Sequence, residues 1–248
     1  QEFLTRHVFR FPKMQHKSGF YGSAVHLALQ NLQKDFKAKK VLPSKDEFLK
    51  MFEIALIASR LNKKDTKELL AKGRDHLSLY YDQRKDFFDY NDYAEFNFIK
   101  QGVVIGDAHI TGKIDKMKED KENRKIIVYD YKTGKSLNNW KGISAYEKIK
   151  LWKYRNQLIF YKLLTEKSQQ FEGMYRVDTG VIEFVEPRND EIVLLDLNIS
   201  FEETEKMKKI IKVVYNKIIN LDFPDISKYN KDFYGIECFI EDLLQQSN

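Results

Sequence analysis

The sequence predicts a mixed α/β or α+β protein built as one compact unit, and three observations predict it. Helical apolar spacing dominates the first third of the 248 residues, alternating strand patterns fill the middle, and a long amphipathic segment separates these strands from a further set. A hydrophobic content of 42 % is enough for a real core.

Residues 1–21, including Arg6, Arg10, Pro12, Lys13 and Lys17, lack a sustained period and read as an extended arm or linker. Residues 22–248 then form a single domain, with a helical lobe over about 22–90 and a core over about 91–248. A helix is expected from Ser23, its N-cap, because Val25, Leu29, Leu32 and Phe36 make one apolar stripe. The capping-box spacing of Ser44 to Glu47 opens a second helix over about 44–60, with Phe48, Phe52, Ala55 and Leu56 at helical intervals. A third covers about 65–83 and turns Leu69, Leu70, Leu77 and Tyr80 inward.

Strands are expected from Tyr93. Phe96 and Phe98 share one face, and Gly102 or Gly106-Asp107 offers a turn. Over 109–115, Ile110, Gly112 and Ile114 face one way while His109, Thr111, Lys113 and Asp115 face the other. The charged run 118–124 reads as a solvated hairpin loop. The strand 125–131 is rich in β-branched and aromatic residues and reads as central, with Ile126, Val128, Asp130 and Lys132 on one face. A carboxylate and an ammonium thus lie about 6 to 7 Å apart along a strand, just beyond two core aliphatics. Charges at the end of a buried strand are expensive unless something binds there.

A long helix follows over about 144–166. Trp152, Ile159 and Leu163 mark its core stripe; Tyr154, Gln157 and Tyr161 line an adjacent stripe of aromatic bodies and polar tips. Strands are then expected near 173–177, 181–185 and 192–198. A helix over about 201–221 buries Met207, Ile210, Ile211, Val214 and Ile218 and leaves Lys206, Lys208, Lys209 and Lys212 outside. Pro224 stops it, and a short helix over about 232–244 closes the chain.

No apolar run approaches the roughly 20 residues needed to span a bilayer, and no secretory signal is present, so a soluble, cytoplasmic protein is expected. Cys238 is the single cysteine; it makes no internal disulfide and cannot alone hold a zinc ion or an iron–sulfur cluster, which fits a reducing compartment. With 43 basic against 37 acidic residues the net charge is +6, which permits a polyanionic partner without demonstrating one. The start at Gln1 suggests a piece of something longer.

Four segments, read together, carry a family resemblance: Gly22-Ser23-Ala24-Val25-His26, Gly112-Lys113-Ile114-Asp115, Val128-Tyr129-Asp130-Tyr131-Lys132-Thr133-Gly134, and Gln157-Leu158-Ile159-Phe160-Tyr161. In this order the chain resembles the PD-(D/E)xK nuclease superfamily, specifically its RecB-like branch. The resemblance implies a restriction-endonuclease-like core, a central mixed sheet flanked by helices. It implies that Asp115 and Asp130 ligate Mg²⁺ or Mn²⁺ with the Tyr131 backbone carbonyl and His26, that Lys132 completes the catalytic set with the two aspartates, and that Gln157 and Tyr161 position substrate. Glu95 is either a further outer carboxylate or a solvent-facing strand residue, and Asp107 and His109 read as turn and surface residues. The resemblance further implies DNA as substrate and a linked or associated helicase in repair or recombination. Some relatives carry a four-cysteine iron–sulfur staple, which this chain lacks. The alternative is an inactive nuclease-fold DNA-binding or scaffold module, and RNA is a third possibility as substrate.

Overall fold

The computed structural model describes residues 16–245. Most of the expected arm, residues 1–15, lies outside the described residues. Among these the chain forms six α-helices and seven strands: α1 (Lys17–Lys39), α2 (Lys45–Ala58), α3 (Lys63–Arg84), β1 (Tyr93–Asn97), β2 (Val104–Ile105), β3 (Ala108–His109), β4 (Lys113–Asp120), β5 (Lys125–Lys132), α4 (Ala145–Glu166), β6 (Thr179–Phe184), β7 (Leu194–Asn198), α5 (Phe201–Ile219) and α6 (Phe233–Gln245).

Five strands make one sheet in the order β1-β4-β5-β6-β7. All neighbours are antiparallel except β5 and β6, which run parallel with Tyr131 opposite Glu183, so the sheet is mixed and β5 is its centre. A parallel pair needs a crossover, and α4 supplies it. Ile126 and Val128 of β5, Ile114 and Met117 of β4, and Leu158, Leu163 and Leu164 of α4 form the main core. On the other face Val25, Leu29, Leu32, Phe48, Phe52, Leu77 and Tyr80 from α1, α2 and α3 form a second core, which Tyr131 and Val185 join from the sheet.

Several local expectations are corrected. The first helix begins at Lys17, not at Ser23, which is an exposed residue inside it; residues 17–21 of the expected arm are helical. Tertiary contacts override the two glycines there. Tyr21 is buried edge-on against Phe52, and Lys17 pairs with Glu68 at 3.0 Å. The strand expected over 109–115 is split, since His109 closes the β2–β3 hairpin and β4 begins at Lys113. The solvated loop shrinks to 121–124, because ladder bonds are indifferent to side-chain charge and Asp120 pairs in register with Lys125. No strand forms over 173–177 beyond a single bridge at Arg176. Buried Phe171 packs against Tyr93, Phe96 and Tyr175 and draws that segment off the sheet.

Along α4 the core stripe is Leu151, Leu158, Ile159, Leu163 and Leu164, with Trp152 only half-buried at the α5 side. In α5 the buried residues are Thr204, Met207 and Val213, while Val214 is 38 % and Ile218 41 % exposed. Its main neighbours are α4, α6 and the β2–β3 hairpin, and they leave part of its apolar stripe uncovered.

Two buried ion pairs brace the fold, the first joining the helical lobe to the core and the second lying within the core. Arg84 Nε donates to Glu183 Oε1 at 2.8 Å and Tyr80 Oη to the same oxygen at 2.7 Å, while Lys116 meets Asp92 at 3.0 Å. Breaking such a pair strands a buried charge and costs about 3–5 kcal/mol.

Helix packing sets one sharp test. A Cβ added at Gly73 of α3 would lie 2.1 Å from Cε1 of fully buried Phe52 in α2. Alanine improves helix propensity by about 1 kcal/mol, but overpacking costs about 1–3 kcal/mol, so Gly73→Ala is expected to destabilise. Urea unfolding should show a lower midpoint at unchanged slope, and adding Phe52→Leu should recover part of the loss.

Candidate active site

The carboxyl end of β5 is where charges enter the fold. Strand alternation places Ile126, Val128, Asp130 and Lys132 on the α4 face, the first two fully buried and Asp130 2 % exposed. Helical spacing on α4 brings Lys150, Tyr154, Gln157 and Tyr161 along one stripe toward this end.

Four of these side chains close a ring. Lys132 Nζ lies 2.5 Å from Asp130 Oδ2 and donates to Gln157 Oε1 at 3.0 Å. Gln157 Nε2 donates to Tyr161 Oη at 2.8 Å, and Tyr161 Oη donates to Asp130 Oδ1 at 2.9 Å. Lys132 only donates and Asp130 only accepts, with Gln157 and Tyr161 relaying between them, and this order fixes the amide orientation of Gln157. Asp130 Oδ2 is buried and, although close to Lys132, has no partner in hydrogen-bond geometry. Burial pushes the Asp130 carboxyl above its usual range; Lys132 opposes this, and the nearby Asp115 charge adds to it.

Asp115 on β4 stands beside this ring. Its Oδ2 accepts from the Tyr131 N–H at 2.8 Å, and its Oδ1 lies 3.4 Å from His26 Nδ1 on α1. Glu95 Oε1 is 3.7 Å from the same nitrogen, and its other oxygen pairs with Lys113. Glu95 has φ of +51°, rare for a residue with a side chain, and it interrupts the β1–β4 bridges between Ala94–Lys116 and Phe96–Ile114. That register sets Glu95 directly across from Asp115. Burial alone would lower the His26 pKa, but hydrogen bonds to Asp115 and Glu95 win and raise it to about 10, so the imidazolium neutralises the acidic cluster. The Glu95 carboxyl is held below its usual range because His26 and Lys113 outweigh its burial.

His26, Glu95 and Asp115 can each offer a ligand atom, all within 4.8 Å of one another. Oxygen-rich donors with one imidazole suit a hard divalent cation, and buried Asp130, whose Oδ2 has only its ion pair with Lys132, stands nearby. The residues therefore fit such an ion. A cleft of about 460 Å³ opens over them, bounded by Gly22, Ser23, Gln30 and Lys113. Gly112 lets α4 approach closely, since a Cβ there would stand 2.7 Å from Leu164 Cδ1.

Every site residue expected from the sequence lies at this end of the sheet. His26 and Asp115 meet directly, Asp130, Lys132, Gln157 and Tyr161 meet in the ring, and Tyr131 reaches the cluster through its N–H. Asp107 and His109 are exposed surface residues. Glu95 was legible only as one of two alternatives, because its place depends on cross-strand register and an unusual backbone angle.

The ring should be cooperative. Tyr161→Phe leaves Asp130 Oδ1 without its donor and is expected to cost about 1–3 kcal/mol in urea unfolding. A cycle with Gln157→Ala should show coupling of about 0.5 kcal/mol or more; strictly additive losses would mean that the four side chains act as separate pairs.

A comparison with solved structures finds a likeness to one titled "Crystal structure of SSO0001", at 16 % identity and a TM-score of 0.37, covering 96 % of this chain and 88 % of that one. No curated protein matches the sequence. The family model of the PD-(D/E)XK nuclease superfamily matches residues 2–232, nearly the whole length, and the chain belongs to that superfamily.

Proposed function

We propose that this protein is a divalent-metal-dependent nuclease domain that hydrolyses DNA phosphodiester bonds. The observation that carries the reading is the meeting of two carboxylates on adjacent strands, Asp115 and Asp130, with Lys132 and His26, in a chain of a nuclease superfamily. His26, Glu95, Asp115 and Asp130 would hold the cation, Mg²⁺ or Mn²⁺, together with the Tyr131 backbone carbonyl. When bound, the ion supplies charge stabilisation at the scissile phosphate and a lowered pKa for water.

The chain's own residues supply positioning and charge. Gln157 and Asp130 hold the Lys132 ammonium at the strand end, where it can neutralise negative charge developing on phosphate oxygen. Tyr161 fixes Asp130 through its hydroxyl. Gln157 and Tyr161 thereby position both the catalytic groups and the strand beside them. Asp115 is held by a backbone N–H, which leaves its second oxygen toward His26.

The RecB-like motif order supports a finer reading, a nuclease domain linked to or associated with a helicase in DNA repair or recombination, in a reducing cytoplasm. No described helix is long and apolar enough to cross a membrane.

Two outcomes are expected. With labelled single- and double-stranded DNA, cleavage should require Mg²⁺ or Mn²⁺, stop in EDTA, and fall about 10²- to 10³-fold or more in Lys132→Ala. Cleavage that persists in EDTA or in Lys132→Ala defeats the proposal, and binding without any cleavage favours the inactive scaffold. Parallel assays on RNA decide the substrate. Separately, Asp115→Asn and Glu95→Gln should each weaken Mn²⁺ binding by about ten- to a hundredfold in calorimetry; an unchanged Glu95→Gln affinity would remove Glu95 from the ligand set.

A further inference from the structure

Beside the ring, α4 presents one cation that the mechanism above leaves unused. Lys150 lies seven residues before Gln157 and therefore on the same face of the helix. Its Nζ is 5.6 Å from the centroid of the Tyr154 ring, and the Lys132 ammonium lies 4.7 Å from that same centroid. Lys150 also donates to the Lys135 carbonyl at 3.0 Å, in the loop that follows β5. Lys132, Lys135 and Lys150 thus gather at one strand end.

The negative groups facing Lys150 are engaged elsewhere. Glu147 accepts from the N–H groups of Ile143 and Ser144 at the start of α4, and Glu186 pairs with Lys72 at 2.7 Å. No carboxylate lies within ion-pair distance of Lys150 among the described residues. Burial and the Lys132 charge both disfavour its protonated form. A half-buried ammonium near another ammonium gains little for stability, whereas a polyanion with successive negative groups passing both would be favoured by each.

We propose that Lys150 is a substrate-binding residue that takes a backbone phosphate next to the one under attack, with Tyr154 as the spacer that sets its distance from Lys132. This assignment rests on the nuclease reading above and deepens it. The ligand class is a nucleic-acid phosphodiester, and the contact is to the backbone, so it carries no base preference. Its duller rival is a loop anchor that merely holds the Lys135 carbonyl.

Steady-state cleavage of a labelled oligonucleotide in Mg²⁺ or Mn²⁺ by the full chain separates them. Lys150→Gln keeps a donor for the Lys135 carbonyl but loses the charge. It is expected to raise KM about tenfold with kcat within about threefold, and to reduce the dependence of log(kcat/KM) on log[salt] by about 0.7 to 0.9, the slope of one phosphate contact. Lys150→Arg should restore KM and the salt slope. If Lys150→Gln lowers kcat and the melting temperature while KM and the salt slope stay at wild-type values, Lys150 is a loop anchor and the proposal fails. An unstable Lys150→Gln leaves the decision to Lys150→Arg, whose salt slope should match wild type; a slope lowered in this charge-retaining variant overturns the phosphate role. Wild-type protein that cleaves while Lys150→Gln is kinetically identical overturns only this inference, whereas wild-type protein that cleaves no nucleic acid overturns the nuclease reading, and this inference with it.

Discussion

Burying a carboxylate at the end of the central strand is the constraint on which the site depends. Removing a lone carboxylate from water costs several kcal/mol even after relaxation, and Asp130 is almost fully buried. Side chains of α4 and the last residue of β5 offset part of that cost. Tyr161 donates to one oxygen and Lys132 approaches the other, with Gln157 joining the two. The helix that crosses from β5 to β6 therefore has two duties at once: its leucines build the core, and the neighbouring stripe holds the charges.

The next strand offers a contrast in how a buried carboxylate is answered. Glu183 of β6 is as buried as Asp130, but it lies opposite Tyr131 in register and meets α3, where Arg84 and Tyr80 satisfy it. Its charge is fully answered by protein. Asp130 keeps an oxygen answered only by its ion pair with Lys132, and the charge of Asp115 acts on the same carboxylate from the neighbouring strand. Beside it His26, Glu95 and Asp115 line a cleft and offer a cation one ligand atom each.

Glu95 shows how the backbone serves the same end. A positive φ on a residue with a side chain carries a cost of order 1 kcal/mol or more, yet it sets the carboxylate across from Asp115 and beside His26. Protonated His26 joins Asp115 to Glu95, while Lys113 and Lys132 answer Glu95 and Asp130.

The amino-acid sequence determined what period and parity can determine. The capping box at Ser44, the central strand through Val128, and the shared face of Asp130 and Lys132 follow from spacing alone, because neighbours along one element have fixed directions. The stripe of Gln157 and Tyr161 was legible for the same reason. The start of α1 at Lys17, the loss of a strand at 173–177 and the exposure of Val214 and Ile218 were not, since each is set by what another element covers. Tertiary structure alone decided that Glu95 faces Asp115, that Lys132, Gln157, Tyr161 and Asp130 close on one another, and that Lys150 shares a ring with Lys132. Register between strands and the approach of a helix to a strand end depend on packing across the whole chain, and no local pattern of residues encodes them.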